Sequence, residues 1–199
     1  QSLKFFSDKG VEILFADDNL KPHNKYFYTR QKYPDRTIVT IDDDGLYYRD
    51  TIERLINMQK KYPNTICANR ASKIVLIDGK LGKYSMFNMA FNQNPSHLLL
   101  ALGVGGVLYP ASFKYSELYN IDKIKKLSLS TDDLWLKAIE ILSDTKVVTG
   151  DYCAHSLSIP SSQKRALMHT NNGTMSQNDK NLLLIDAEFN ISNILNKEL

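Results

Sequence analysis

The chain has little of several features that would assign it to a specialised class of protein. Its 199 residues contain two cysteines, Cys67 and Cys153, which are far apart and lack the spacing of a metal site. We therefore expect two reduced thiols. No apolar run reaches the length of a membrane-spanning helix, and we see no signal-peptide pattern. The net charge of +3 is too small to indicate a nucleic-acid-binding protein.

The composition that remains is that of an ordinary globular protein. Hydrophobic residues make up 43% of the chain and charged residues 24%, and the length suffices for one domain with a sizeable core. We expect residues 1–150 to form this domain and residues 151–199 to add a loop and a helix packed on it. Eleven tyrosines favour a site for sugars or nucleotides, because tyrosine offers a stacking face and a hydroxyl group. The predicted compartment is the cytoplasm, with peripheral association at the inner face of the membrane as the alternative.

Strands and helices alternate in the first third of the chain. Apolar, β-branched runs at residues 11–16, 37–41 and 65–68 predict strands. Residues 22–33 and those following Asp50 predict the helices between them. Such alternation is typical of an α/β fold in which a mostly parallel, Rossmann-like sheet is flanked by helices. This is the predicted fold class, with an irregular region at the C-terminal end.

Local patterns add detail to several elements. Asp78-Gly79 predicts the tight turn of a hairpin. The amphipathic pattern of residues 131–142 predicts a helix, with Ser130 as its N-cap and Asp133 in its first turn. A final helix is expected at 179–196. The helix after Asp50 has a predicted buried stripe, made up of Ile52, Leu55, Ile56 and Met58.

Three consecutive carboxylates follow the second predicted strand. Asp42, Asp43 and Asp44 lie where an open α/β sheet has its ligand crevice, and three like charges in one place repel each other. A solvent-exposed turn is the simpler interpretation, because aspartate is common in turns and Gly45 follows. A divalent cation would relieve the repulsion, and Mg²⁺ or Mn²⁺ completed by a substrate diphosphate suits hard oxygen ligands. Alternation along the chain predicts that Asp42 and Asp44 share one side.

Two further segments carry residues suited to chemistry. Asp132 and Asp133 begin a predicted helix, where acids favour the positive end of the helix dipole. Alternatively, one of these carboxylates removes a proton from an incoming hydroxyl group as a general base. Residues 103–106 are rich in glycine, which permits either close backbone packing or the approach of a ligand. Both alternatives stay open for each segment.

In this order, the three segments resemble a family of bacterial glycosyltransferases. They read Ile-Val-Thr-Ile-Asp-Asp-Asp, Gly-Val-Gly-Gly-Val-Leu-Tyr-Pro and Thr-Asp-Asp-Leu-Trp-Leu-Lys-Ala. Over residues 11–180 the chain is similar to GT-A enzymes related to family 2, which assemble capsular or surface polysaccharides. The resemblance implies a GT-A-like fold whose first strand–helix unit is missing ahead of Gln1.

The resemblance also implies roles for individual residues. The acid triplet would be the family's Asp-x-Asp motif, and the second acid pair would supply the base, Asp133 or Asp132. Asn178-Asp179-Lys180 matches a C-terminal pattern without an assigned role, and its plain interpretation is a helix cap. The implied metal ligands are Asp42, Asp44 and His155. The implied contacts to donor and substrate are Lys25, Asp43, Gly105, Gly106 and Trp135.

The implied reaction moves a sugar from a nucleotide-diphosphate sugar, with a UDP-sugar favoured, to a hydroxyl of a saccharide acceptor. Mn²⁺ or Mg²⁺ would be the cofactor, and inversion at the sugar carbon is expected. A metal-dependent phosphotransferase or phosphohydrolase is one alternative, although the sequence lacks a phosphate-cradling Gly-Lys-Ser/Thr loop. A non-catalytic module that binds nucleotide sugars or saccharides is the other.

Overall fold

The computed structural model describes residues 3–150, 157–159 and 176–198. The strands in chain order are β1 (Ile38–Thr40), β2 (Gly45–Leu46), β3 (Ile66–Ala68), β4 (Ala71–Lys73), β5 (Leu76–Ile77), β6 (Lys80–Leu81), β7 (Asn88–Ala90), β8 (Gln93–Ser96), β9 (Leu99–Ala101), β10 (Val107–Tyr109), β11 (Val147–Thr149) and β12 (Leu157–Ser158). The α-helices are α1 (Leu3–Asp8), α2 (Phe27–Lys32), α3 (Thr51–Lys61), α4 (Ile121–Leu127), α5 (Asp132–Leu142), α6 (Gln177–Phe189) and α7 (Ile191–Leu195). Short 3₁₀ turns span Lys21–Lys25, Tyr84–Met86, Gly103–Gly105, Ser116–Tyr119 and Asn196–Glu198.

The central sheet has five strands in the order β1–β10–β3–β11–β8. Among the described strands, β3 and β11 form the one parallel pair, and the other neighbours in this sheet are antiparallel. The smaller sheets, β7–β4–β9, β12–β2 and β5–β6, are antiparallel throughout. The prediction of a mostly parallel, GT-A-like sheet is therefore wrong. The fold is mixed α/β with mostly antiparallel strands in small sheets.

Strand β10 accounts for the difference between the predicted and the observed strand order at the centre of the main sheet. The strands β1, β3 and β11 run in one direction, because β10 is antiparallel to both β1 and β3 and β11 is parallel to β3. Leu108 of β10 lies opposite Val39 on one side and Cys67 on the other. The helix connections thus indicated the right strand directions, but β10 separates strands that were expected to be neighbours. Its pairing joins residues distant in the chain and leaves no local pattern.

Two other predictions, the strand at 11–16 and the wide buried stripe of α3, are wrong because no neighbouring element covers these side chains among the described residues. Residues 11–16 form no strand, and Phe15 is 82% exposed. In α3 Leu55 is fully buried, but Ile52 and Ile56 are exposed, so the buried stripe is narrower than predicted. An apolar pattern identifies side chains that can be buried, whereas burial itself needs a neighbouring element. Within the described part of the chain, nothing covers these side chains.

Two local predictions are confirmed. The strands β5 and β6 form a hairpin whose turn residues, Asp78 and Gly79, have φ angles of 48° and 76°. Both angles lie in the left-handed region that this tight turn requires. Helix α5 spans Asp132–Leu142, one residue shorter than the predicted 131–142. These elements are determined by residues close in sequence, so their patterns suffice to predict them.

Helix α5 forms the centre of the main hydrophobic core. Its residues 134–141 are all buried, and the Trp135 ring packs edge-on against Phe189 at a centroid distance of 5.9 Å. Helix α6 packs against α5, so the described C-terminal residues cover the same core. The thiol of Cys67 is free and buried, and Cys153 lies outside the described residues.

A buried arginine ties helix α2 to the segment after β10. Arg30 is only 1% exposed, and its guanidinium donates hydrogen bonds to the carbonyl oxygens of Arg36 at 2.6 Å, of Phe113 at 2.7 Å, and of Pro110. Among the described residues no carboxylate pairs with Arg30. Carbonyl dipoles therefore stabilise its charge, and the guanidinium in turn satisfies three acceptors.

We expect Arg30→Met to destabilise the fold by about 3 kcal/mol, because three carbonyl groups lose donors at about 1 kcal/mol each. Urea unfolding followed by circular dichroism measures this loss. The matched control is Arg36→Met at a neighbouring exposed arginine, which should change stability by less than about 0.5 kcal/mol. A loss for Arg30→Met no larger than that of the control would contradict the role of the buried guanidinium.

Candidate functional site

The ammonium group of Lys25 lies at the centre of the candidate site. Its Nζ atom is 2.8 Å from Asp42 Oδ1 and 2.9 Å from Asp132 Oδ2. Burial alone would lower the pKa of Lys25, but Asp132, Asp133 and Asp42 outweigh burial and raise it well above its usual value. These four residues, here called the Lys25 cluster, come from three segments that are distant in sequence. They place one cation among three carboxylates.

A buried histidine holds the 3₁₀ turn Lys21–Lys25 in place through hydrogen bonds. His23 is 0% exposed, and its Nε2 atom is 2.9 Å from the carbonyl oxygen of Ser128. A carbonyl can only accept, so Nε2 carries the proton and Nδ1 accepts from the Tyr26 hydroxyl at 3.0 Å. Because Ser128 closely precedes Asp132 in the chain, this contact fixes the Lys25 turn beside the start of α5.

Asp132 and Asp133 occupy the first turn of α5. The predicted cap Ser130 is not the N-cap residue; Thr131 is, and its side chain makes no capping hydrogen bond. The Thr131 hydroxyl instead accepts a hydrogen bond from the Asn181 amide of α6. Because no capping side chain occupies this helix end, the two carboxylates complement its positive dipole.

The Asp133 carboxylate has the chemistry of a base that works near neutral pH. Burial and the neighbouring negative charge of Asp132 raise its pKa to about 7, against the opposing effects of Lys25 and of the Gly103 N–H. The Gly103 N–H donates to Asp133 Oδ1 at 3.0 Å. For the other oxygen of Asp133 the described residues offer no hydrogen bond. A carboxylate with a pKa near the working pH is well suited to take up a proton and release it.

The glycine-rich segment meets the Lys25 cluster at Gly103. A Cβ atom at Gly103 would lie 2.6 Å from Lys25 Nζ and 3.2 Å from Asp133 Oδ1, so a side chain there would displace the cluster. A Cβ atom at Gly105 would lie 2.5 Å from that of Arg70. Gly106 has φ +83°, with its nearest neighbour on Thr51. Gly105 and Gly106 thus permit close backbone packing beside the site.

The acid triplet has two partly buried members, Asp42 and Asp44, and an exposed one, Asp43. The Asp42 N–H donates to the Tyr47 hydroxyl at 2.8 Å, which fixes the backbone after β1. Among the described residues there is no group of three or more metal-ligating side chains. The cation that balances Asp42 is Lys25. The second Asp42 oxygen and the Asp44 carboxylate, which makes no ion pair within residues 3–150, 157–159 and 176–198, could still bind a metal together with substrate phosphates.

The remaining predicted site residues lie elsewhere. Trp135 is fully buried, and its indole N–H donates to the Leu118 carbonyl at 3.4 Å, so its place in this structure is in the core. His155 lies outside the described residues. Asp179 accepts from the Ser176 hydroxyl at 2.8 Å in the cap of α6 and from the Tyr84 N–H at 2.7 Å. The cap interpretation of this motif therefore holds, and the cap also positions Tyr84.

Four residues around the cluster had no individual role predicted from the sequence: Gly103, Arg70, Tyr84 and Tyr109. Burial raises the pKa of both tyrosines, and Asp133 and Asp132 add to the effect. Their hydroxyl groups therefore lie in the field of the acid pair. Because the chain contains 11 tyrosines, residue type alone could not distinguish Tyr84 and Tyr109 from the others. Arg70 lies two residues beyond the end of β3, as Asp42 lies two residues beyond the end of β1, and that shared position is the signal that could have identified it.

Comparison with models of known protein families, with characterised proteins and with solved structures finds no match for this chain. Functional inference therefore depends on the Lys25 cluster and on the three motifs. In the described part of the chain, no helix has the length and apolar character that crossing a bilayer requires.

His23 should make stability depend on pH. Burial lowers its pKa, so below the ordinary value of 6.5 protons bind the unfolded chain preferentially. Its neutral form therefore stabilises the fold above about pH 6.5, and this contribution is lost as the pH falls. We expect His23→Leu to cost about 2 kcal/mol at pH 8, because Ser128 and Tyr26 lose their partners. The loss should be smaller at pH 5.5, as measured by urea unfolding.

Tyr26→Phe is the matched control for His23, since it removes one hydrogen bond of the pair and no group that titrates between pH 5.5 and pH 8. It should cost about 1 kcal/mol equally at pH 8 and pH 5.5. An equal loss for His23→Leu at the two pH values would contradict a buried neutral histidine.

Proposed function

We propose that this chain is an enzyme that transfers a sugar from a nucleotide-diphosphate sugar to a hydroxyl group of a saccharide. The observation that carries the proposal is the convergence of the three motifs. Lys25 joins Asp42 of the acid triplet to Asp132 of the second acid pair. Gly103 of the glycine segment donates to Asp133. The proposal depends on this site and not on a parallel sheet, because related chemistry occurs on different folds.

Asp133 is the better candidate for the base. Its pKa is raised to about 7, and one of its two oxygens has no hydrogen-bond partner among the described residues, so that oxygen is available to accept a proton. Asp132 is buried, and its carboxylate pairs with Lys25. Asp132 therefore acts as a positioning residue, which holds the lysine and raises the proton affinity of its neighbour.

In the proposed step, the oxygen of the acceptor hydroxyl forms a bond to the anomeric carbon of the donor sugar. Its proton passes to Asp133. The bond from that carbon to the diphosphate oxygen breaks, and the nucleoside diphosphate leaves with the electron pair. Attack opposite the leaving group gives inversion, as the resemblance to family 2 enzymes implies. Lys25 keeps Asp42 and the acid pair at fixed positions around the reacting groups.

Asp42 and Asp44 are the residues that would hold Mn²⁺ or Mg²⁺. Two carboxylates, completed by substrate phosphates and waters, form the usual set for Mg²⁺. When bound, the metal supplies positive charge that stabilises the departing diphosphate. The side chains do not form a complete metal cage by themselves, so we expect the metal and the nucleotide diphosphate to bind together.

We expect Asp133→Asn to lower kcat by about 10²- to 10⁴-fold, the usual contribution of a general base. The amide oxygen can still accept from the Gly103 N–H, so the fold should persist. At pH 8 the variant should also be more stable in urea, because ionisation of the wild-type Asp133, whose pKa is raised from 3.8 to about 7 by folding, costs stability as the pH rises between these two values. The assay is release of nucleoside diphosphate from UDP- and GDP-sugars with Mn²⁺ and saccharide acceptors.

The pH profile provides a second readout of the same base. For the wild type, kcat/KM should rise through about pH 7 as Asp133 loses its proton. Asp132→Asn removes a neighbouring negative charge, so the rise should move to lower pH. Asp122→Asn on α4, at an exposed acid, is the control and should leave activity unchanged. Turnover of Asp133→Asn at the wild-type rate would contradict the assignment of the base.

Removal of the metal should abolish turnover, and the loss should be reversed by Mn²⁺. Asp42→Asn and Asp44→Asn should each weaken the joint binding of UDP and Mn²⁺ by about tenfold or more, as measured by calorimetry. The exposed Asp43 provides the control variant Asp43→Asn, with a smaller effect. Joint binding unchanged in both Asp42→Asn and Asp44→Asn would contradict the metal site. Binding without turnover on any acceptor would instead favour a binding module.

A further inference from the structure

Arg70 lies at the edge of the candidate site in a fixed position. It follows β3, and its carbonyl oxygen accepts from the Leu102 N–H at 2.9 Å. The adjacent Asn69 amide donates to the carbonyl oxygens of Thr51 at 3.1 Å and Gly105 at 3.2 Å. Gly105 has no side chain, which allows its backbone to lie directly against Arg70. The backbone and Cβ atom of Arg70 are thus held beside the turn that contains Gly103.

The guanidinium of Arg70 lacks an acceptor within the described residues. Its Nε atom is buried and makes no hydrogen bond, and no described carboxylate lies within ion-pair distance of the side chain. Arg30, whose guanidinium is buried, instead satisfies three carbonyl groups. A buried donor without a partner is rare and calls for an explanation. An acceptor supplied by a ligand explains it here.

Tyr84 connects Arg70 to the side of the site on which the proposed base lies. Burial raises the pKa of Tyr84, Asp133 raises it further, and Arg70 opposes this increase. The hydroxyl group of Tyr84 therefore lies within electrostatic range of both Arg70 and Asp133. The Tyr84 backbone is held by Asp179 at 2.7 Å. In a displacement with inversion, the base contacts the acceptor, and the diphosphate leaves on the opposite side.

We propose that Arg70 is a specificity-determining residue that binds an oxyanion, a carboxylate or a phosphate, on the acceptor saccharide. The planar guanidinium matches these groups with two parallel hydrogen bonds. Solvent does not reach Nε in this structure, so Nε becomes one donor of that pair when the side chain shifts to meet the anion. The substrate class of the proposed transferase is therefore an acidic saccharide. This inference rests on the proposed function for the identity of the acceptor, but its test is a binding measurement that needs no turnover.

The test compares charged and neutral sugars on the purified chain. Calorimetry or ligand-observed NMR measures the binding of methyl glucuronoside, glucose 6-phosphate and methyl glucoside. We expect the wild type to bind at least one of the acidic sugars about tenfold or more tightly than the neutral one. Arg70→Met should remove this preference. Arg70→Lys keeps the charge without the planar fork, and it should retain only part of the preference.

The matched control is Lys73→Met, which removes one positive charge from the exposed end of β4 and should preserve the preference. Thermal unfolding verifies that each variant is folded, and Arg70→Lys provides the measurement if Arg70→Met does not fold. A wild type without preference for acidic sugars, or a preference that survives in both Arg70 variants, would overturn the proposal.

The proposal would also be overturned if Arg70→Met weakened joint binding of UDP and Mn²⁺ while the sugar preference remained, since Arg70 would then bind the donor. Failure of Asp133 as a base would appear in turnover and leave these binding ratios unchanged.

Discussion

The contact of one ammonium group with carboxylates from separate segments is the interaction on which the site depends. Lys25 Nζ lies within 3 Å of both Asp42 and Asp132, and Asp133 adds a third negative charge nearby. Without the lysine, these partly buried carboxylates would repel each other, and taking them out of water would be strongly unfavourable. The position of Lys25 depends in turn on the buried His23 below it and on the absence of a side chain at Gly103.

One ammonium does not neutralise three carboxylates, and the remaining negative charge has two chemical consequences. The proton affinity of Asp133 rises, which makes it a base suited to neutral pH. The acid triplet also carries negative charge that Lys25 does not balance, and the proposed metal with a nucleotide diphosphate would offset it. Arg70 lies against Gly105, in the same turn as Gly103, with a buried Nε that makes no hydrogen bond.

Local sequence predicted the elements whose formation depends on neighbouring residues. The β5–β6 hairpin follows from the left-handed turn at Asp78-Gly79, and α5 follows from its apolar periodicity. Sheet pairing was not predictable in this way, because β10 meets β1 and β3 only after the chain has folded. The acids of the site were identified by residue type and order. Gly103 was not, because the need for a missing side chain arises only when Lys25 and Asp133 approach it.

The antiparallel strand that overturns the expected sheet is also what completes the site. The carboxyl ends of β1 and β3 lie at one edge of the sheet, and Asp42 and Arg70 each lie two residues beyond these ends. Because β10 runs in the opposite direction between these two strands, its amino end lies at that same edge. The turn Gly103–Gly105 immediately precedes β10, so the strand direction places its N–H groups between the acid triplet and the arginine. A parallel strand in this position would have carried the glycine turn to the opposite edge of the sheet, far from Lys25.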